Sequence, residues 1–289
     1  MTAHPKIDPE NGEMLFFGYN ANGTISEHMT FSVVDRDGKL LRSESFEAPY
    51  ASMVHDFVVT RDHVIFPIMP LTGSLERAFK GGPLYAWEPE KGSHIGIMPR
   101  NGTVKDLKWF RGEASYVFHP MNAFAGDDGK IVCDVCEYPE APLFPGVDGQ
   151  PGDPKKALAK LVRWTFDLNA QTDSYRVEQL DELVCEFPRL DERRAGLSYR
   201  FGYFAGDTQP PEKVGGFNVI AAIDHQTGKL STYDVGEGCA TSEPIFVPRS
   251  ASCEEGDGFL LAYVFDANRA ASHMVVLDAQ NVADGPLAK

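Results

Sequence analysis

Met14-Leu-Phe-Phe-Gly-Tyr19, Asn20-Ala-Asn-Gly23, Met29-Thr-Phe-Ser-Val-Val34 and Asp35-Arg-Asp-Gly38 make up the stretch that decides the fold. The two apolar runs are short and rich in aromatic and β-branched residues. Each is closed by a polar, Gly-bearing tetrapeptide of the kind that reverses a strand. The same plan continues along the chain, with strands expected at 56–60, 64–68, 83–87, 94–98, 115–118, 131–135, 161–168, 175–178, 218–224, 230–233, 244–247, 259–265 and 274–278. Helical signals are few and short. Two pairs share one pattern, a strand, a polar turn and a returning strand: Leu84-Tyr-Ala-Trp87 with His94-Ile-Gly-Ile-Met98, and Val219-Ile-Ala-Ala-Ile223 with Leu230-Ser-Thr-Tyr233. Each is expected to form an outer hairpin. Residues 140–156, rich in Pro, Gly and Asp, read as a loop insertion rather than a linker, because the strand pattern resumes at Leu161. The reading is all-β, with a single domain over residues 1–289.

Bulk properties narrow the function. At 289 residues, 43% apolar and 11% aromatic, the chain can bury a large core. A net charge of −15 and a pI near 4.9 argue against a nucleic-acid partner, since phosphate binding depends on Lys and Arg. No run approaches the roughly 18 apolar residues that span a bilayer, and no basic flank leads into an apolar signal core, so cytoplasmic residence is the default expectation. The five cysteines form no small-scaffold pattern. Cys133 and Cys136 lie three apart on an expected strand, where their side chains point to opposite faces, so buried thiols are favoured over a metal or redox pair.

Three histidines carry the chemistry. His4 lies in Ala3-His-Pro-Lys-Ile-Asp-Pro9, His55 in Met53-Val-His-Asp-Phe-Val-Val-Thr60, and His119 in Tyr116-Val-Phe-His-Pro-Met-Asn-Ala123. Each is followed within about a dozen residues by an apolar strand, at Met14, Val64 and Ile131, and the histidines are 51 and 64 residues apart. That suits one repeated unit with a His at an equivalent point, as in propeller blades of about 40 to 50 residues carrying insertions. Imidazoles drawn from separate blades would meet as a metal site, and an all-His ligand set leaves positions open to small molecules. Ligating histidines commonly donate their other ring N–H to a carboxylate. Glu186 in Cys185-Glu-Phe-Pro-Arg189 and Glu243 in Ser242-Glu-Pro-Ile-Phe-Val-Pro-Arg249 are candidates, the alternative being salt bridges to Arg189, Arg200 or Arg249. His28, His63, His94, His225 and His273 lack the shared context and are expected at the surface.

These segments, together with Glu254-Glu-Gly-Asp-Gly-Phe259 and Val276-Leu-Asp-Ala279, resemble in order the carotenoid cleavage oxygenases, a family that includes lignostilbene dioxygenases and the retinal pigment epithelium isomerase. The resemblance implies a seven-bladed β-propeller with non-haem Fe(2+) held by four histidines, three of them His4, His55 and His119, oriented by glutamates at Glu186 and Glu243. The family's fourth His follows the Asp-Ala motif in a Gly-Phe-His-Gly type segment, which this chain does not reach by Lys289. The family also has a long stretch ahead of its first His. The chain is therefore expected to cover the central and C-terminal blades of a larger propeller, with open edges where strands are lacking.

The implied activity is oxidative cleavage of a conjugated C=C bond by O2 into two carbonyl products. The substrate would be an apolar stilbenoid (lignostilbene-like) or apocarotenoid alkene. Phe57, Phe118 and Phe124, near the ligands, are candidates to line its tunnel, with blade packing as their commoner role. Peripheral membrane contact and the oligomeric state stay open. Two other readings are a non-enzymatic propeller interaction module and a lactonase-type hydrolase, the latter disfavoured because Ca²⁺ sites prefer oxygen ligands.

Overall fold

Antiparallel strands run from end to end of the computed structural model, which describes residues 2–209 and 216–289. The first sheet takes β1 (Lys6–Ile7), β2 (Met14–Gly18), β3 (His28–Val34) and β4 (Leu40–Glu47) in chain order. Asp35 closes the turn between β3 and β4, its carboxylate accepting from the N–H groups of Asp37 and Lys39 at 3.0 and 2.8 Å. The second sheet holds β5 (Val58–Val59) and β6 (His63–Ile68). An excursion follows through β7 (Leu71–Gly73), the one-turn helix α1 (Leu75–Phe79) and β8 (Tyr85–Trp87), before the sheet is completed by β9 (Ser93–Pro99) and β10 (Lys108–Gly112).

The third sheet runs consecutively through β11 (Tyr116–Ala125), β12 (Ile131–Tyr138), β13 (Lys160–Phe166), β14 (Arg176–Leu190), β15 (Phe201–Asp207), β16 (Val219–Asp224) and β17 (Lys229–Asp234). β14 is 15 residues long; its first half pairs with β13 and its second half, from Val184, with β15. The sheet is thus two four-stranded units sharing a strand. The fourth sheet contains β18 (Cys239–Thr241), β19 (Ile245–Pro248), β20 (Gly258–Asp266), β21 (Ala271–Asp278) and β22 (Pro286–Ala288).

The core lies between sheets as well as within them. Phe17, Phe31, Phe57 and Phe66, all wholly buried, join the first sheet to the second. β6, β12 and β15 are covered on both faces and therefore read as near-continuous apolar runs rather than alternating ones. Cys133 and Cys136 are both fully buried on β12, and Cys136 meets Cys185 of β14 with 3.3 Å between sulfurs. On the outer face of the fourth sheet Ile245, Val247, Tyr263, Phe265 and Met274 are exposed together.

Several expectations are corrected. The hairpin expected from the 84–87 and 94–98 runs does not form: β8 pairs with β7, and β9 lies between β6 and β10. The 219–223 and 230–233 runs do form one, as β16 and β17. β15 was not anticipated because Gly202 and Gly206 look like turn signals. They instead lie within the strand where a Cβ would crowd Met121 at Gly202 and Leu183 at Gly206. The histidines outside the shared contexts are partly buried rather than at the surface. His225 goes furthest, with its side chain 7% exposed, 3.9 Å from Asp134 and against the Tyr199 ring.

Phe57 is not a tunnel residue. It is wholly buried against Phe17 and Phe66, with ring centroids 5.2 and 6.3 Å away. Phe57→Ala is therefore expected to cost about 3–5 kcal/mol of stability in denaturant unfolding, as for other core aromatic truncations; a cost near zero would contradict this placement.

Candidate metal centre

Each of the three histidines is delivered by a different sheet and a different backbone device. His4 lies just before β1, and His55 lies in the irregular approach to β5. His119 is inside β11, at a break in its pairing with β12 where register shifts occur between Val117 and Pro120 and again between Pro120 and Asn122. Pro120 cannot donate to the ladder, so the strand bulges there and re-aims the His119 side chain. The expected equivalence of the three positions is thus not structural, because one lies in a strand and two in irregular segments. Their side chains converge all the same. His4 and His55 Nε2 lie 3.1 Å apart, His55 and His119 Nε2 3.2 Å apart, and the three form one group whose ligand atoms are all within 4.8 Å of each other.

A carboxylate supports one of the rings. Glu186, 3% exposed, accepts from His119 Nδ1 at 2.6 Å. It stands where β14 bulges away from β15, between Glu186 and Arg189. Phe187 there takes a left-handed backbone (φ 55°), and its N–H donates back to Glu186 Oε2 at 2.5 Å. A non-Gly residue in that region stores strain that the surrounding packing must hold, and such strain clusters at functional sites. The Phe187 ring covers His119 at 5.3 Å, while Phe118 meets His55 edge-on at 5.2 Å.

Protonation follows from these surroundings. Burial, then the neighbouring His119 and His4, push the His55 imidazole down to about 4. Burial likewise lowers His4, against the pull of Asp56. For His119 burial is again the largest influence and acts downward, yet the hydrogen bond and charge of Glu186 turn the net shift upward. The Glu186 bond also places the ring proton of a neutral His119 on Nδ1, which leaves Nε2 with a free lone pair. Nitrogens bound to one ion at about 2.0–2.1 Å and near right angles stand about 3 Å apart, so the observed spacing and the neutral, convergent donors fit a metal ion.

The remaining expected residues are placed differently. Glu243 is half-exposed and paired with Arg189 at 3.3 Å, the salt-bridge alternative, although both residues line the same cavity as His4 and His119. That cavity is about 640 Å³ and is also lined by Lys6, Asp56, Met121 and Asn122. Phe118 packs beside the histidines, whereas Phe124 lies in a separate cleft with Arg163 and Tyr199. Asn122 was not anticipated. Its buried amide donates to the carbonyls of Arg194 and Leu197 and accepts from Gly196 N–H, tying the 191–197 loop to β11 beside His119.

Over residues 1–289 the sequence matches the family described as retinal pigment epithelial membrane protein. The chain belongs to this family. It is 42% identical over 295 residues to isoeugenol monooxygenase of Pseudomonas putida, covering 99% of this chain and 62% of that protein. Its fold superposes on the crystal structure of Pseudomonas brassicacearum lignostilbene dioxygenase with a TM-score of 0.94 at 38% identity, covering 99% of this chain and 62% of that one. Cobalt-substituted Synechocystis apocarotenoid oxygenase gives a TM-score of 0.83 at 28% identity, covering 99% and 61%. The chain thus spans about three fifths of the length of these family members, and its sheets are part of the oxygenase β-propeller. Among the described residues no helix is long and apolar enough to cross a membrane.

Glu186→Gln is expected to weaken metal binding by about 10–100-fold, as loss of a carboxylate supporting a ligand His does elsewhere; unchanged binding would remove Glu186 from the site. The variant also tests the His119 shift in metal-free protein. A raised imidazole pKa contributes stability that is fully present below the ordinary value of 6.5 and is lost as pH rises through the folded one. Chemical denaturation across that range should show this loss in the wild type and a smaller one in the variant.

Proposed function

We propose that the protein is a non-haem iron dioxygenase that cleaves the conjugated C=C bond of an aryl alkene with O2 into two carbonyl products. The observation that carries this reading is the convergence of three imidazole nitrogens with His119 anchored on Glu186, in a chain belonging to the retinal pigment epithelial membrane protein family. His4, His55 and His119 would hold the iron through Nε2. Bound there, ferrous iron would supply the activation of O2 beside the alkene. The chain's own residues set the conditions for that chemistry. Glu186 holds the Nδ1 proton of His119 in place, and burial keeps His55 neutral at physiological pH. Phe118 and Phe187 cover the rings of His55 and His119 and exclude water from that side. Glu243, paired with Arg189, faces the same cavity as His4 and His119 and would add negative charge there.

The relatives support one substrate class over the other. Isoeugenol and lignostilbenes are hydroxyaryl compounds with an alkene conjugated to the ring, so a hydroxyaryl alkene is favoured over a carotenoid. Incubating the iron-loaded intact protein with a 4-hydroxystilbene and with an apocarotenal is expected to give aryl aldehydes from the first, with matching O2 uptake. Turnover of the apocarotenal alone would move the substrate class, and turnover of neither would sink the proposal. His55→Ala should lose both iron and activity. If that variant keeps its iron content unchanged, the histidines are structural and the interaction-module reading takes over.

A further inference from the structure

Among the described residues, His119 alone of the three imidazoles is hydrogen-bonded to a carboxylate. Among the described residues, the side-chain hydrogen bonds of the His4 and His55 rings are with one another and with His119. Nor is the backbone near them strongly laddered: β1 pairs with β2 through two residue pairs, and β5 with β6 through two. An ion pair bridges the two segments that carry these rings. Lys6 is two residues beyond His4, and Asp56 directly follows His55. The Lys6 ammonium lies 2.9 Å from both carboxylate oxygens of Asp56, whose side chain is 4% exposed. Asp56 Oδ1 also accepts from Phe57 N–H at 2.7 Å, which locks the carboxylate to the backbone that carries His55. The lysine end is steadied as well, its ammonium 5.8 Å from the centre of the wholly buried Phe57 ring. The pair therefore joins the first sheet to the second within two residues of both histidines.

We propose that the Lys6–Asp56 ion pair is the positioning device that brings His4 and His55 to the spacing a shared metal ion requires. This rests on the reading of His4, His55 and His119 as ligands. The physical case is one of geometry. A pair whose acid is taken almost wholly out of water gains little net stability from its attraction, because desolvation opposes it, and the best-attested use of such pairs is to fix register. Here the fixed register is between two loop segments from different sheets. A rival account uses the same residues: Asp56 could act simply as a negative charge that favours a cation nearby, with Lys6 as its partial cancellation.

The two accounts differ in sign at Lys6. For a positioning pair, Lys6→Gln and Asp56→Asn both weaken metal binding, by about 10–100-fold on the scale of other residues that orient ligands. For a simple field effect, Asp56→Asn weakens binding and Lys6→Gln tightens it. The test is titration of the metal-stripped intact protein with Co²⁺ against a competing chelator, with the visible absorption spectrum of the bound ion and thermal melts recorded in parallel. The expected result is weaker binding and an altered cobalt spectrum in both variants, with binding largely restored in Lys6→Arg, which keeps the ion pair. Opposite signs at the two positions, or unchanged affinity and spectrum in both, overturn the proposal. Wild type and His55→Ala serve as the reference. If the wild type binds one Co²⁺ and His55→Ala does not, the ligand reading stands whatever the ion-pair variants do. If the wild type binds none, both readings fall together.

Discussion

Three imidazoles facing one another across 3.1 and 3.2 Å cannot all be protonated, and the arrangement around them depends on that constraint. Like charges this close repel. The chain meets the constraint by burial, which favours the neutral form of His4 and His55, and by a single carboxylate, which keeps the ring proton of a neutral His119 on Nδ1, away from the other two rings. A site emptied of protons on its inner side offers lone pairs, and convergent lone pairs are what a cation replaces. The acidic overall charge of the protein plays no direct part. What counts is which acids are buried near the rings, and those are Glu186 and Asp56.

The strands that deliver these groups are irregular where they do so. His119-Pro120 and Phe187-Pro188 both lie at pairing breaks in otherwise long strands, and Phe187 adopts a left-handed backbone beside the carboxylate it helps to orient. Proline removes a ladder donor at each break, so the neighbouring strand forfeits little when the backbone turns aside. The dense packing of β12 and β15 on both faces holds those bulges in place. Asn122 ties the adjacent loop to the same strand. Rigidity in the blades and distortion at two points in them are complementary features of one design.

The fold was legible for a simple reason. Short apolar runs closed by Gly, Asp and Asn turns can satisfy their backbone only as antiparallel strands, and so most strands were anticipated. Two of the strands outside the expected runs have clear physical explanations. β4 (Leu40–Glu47) has polar and exposed positions along most of its length, and β15 carries glycines demanded by close packing rather than by turns. The pairing of β8 with β7 rather than β9 could not be read locally, because both candidate strands have similar patterns and only the three-dimensional path selects a partner. Phe57 shows the same limit at the level of a side chain. Its closeness to His55 in the chain suggested a tunnel, yet the irregular backbone ahead of β5 sends its ring into the core against Phe17 and Phe66.

By itself, the sequence determined the all-β architecture, the three metal-ligating candidates and the family, since these depend on residue type and order. Motifs around His4, His55, His119 and Glu186 survive being read in one dimension because each is a local backbone instruction. Tertiary structure alone decided that Lys6 and Asp56 pair beside His4 and His55, that Glu186 bonds to His119 while Glu243 pairs with Arg189, and that Phe118 rather than Phe57 lies against the site. Those outcomes are set by contacts between sheets. Residues 50 to 67 positions apart come within hydrogen-bonding distance only after the blades have packed, and no local pattern encodes that approach.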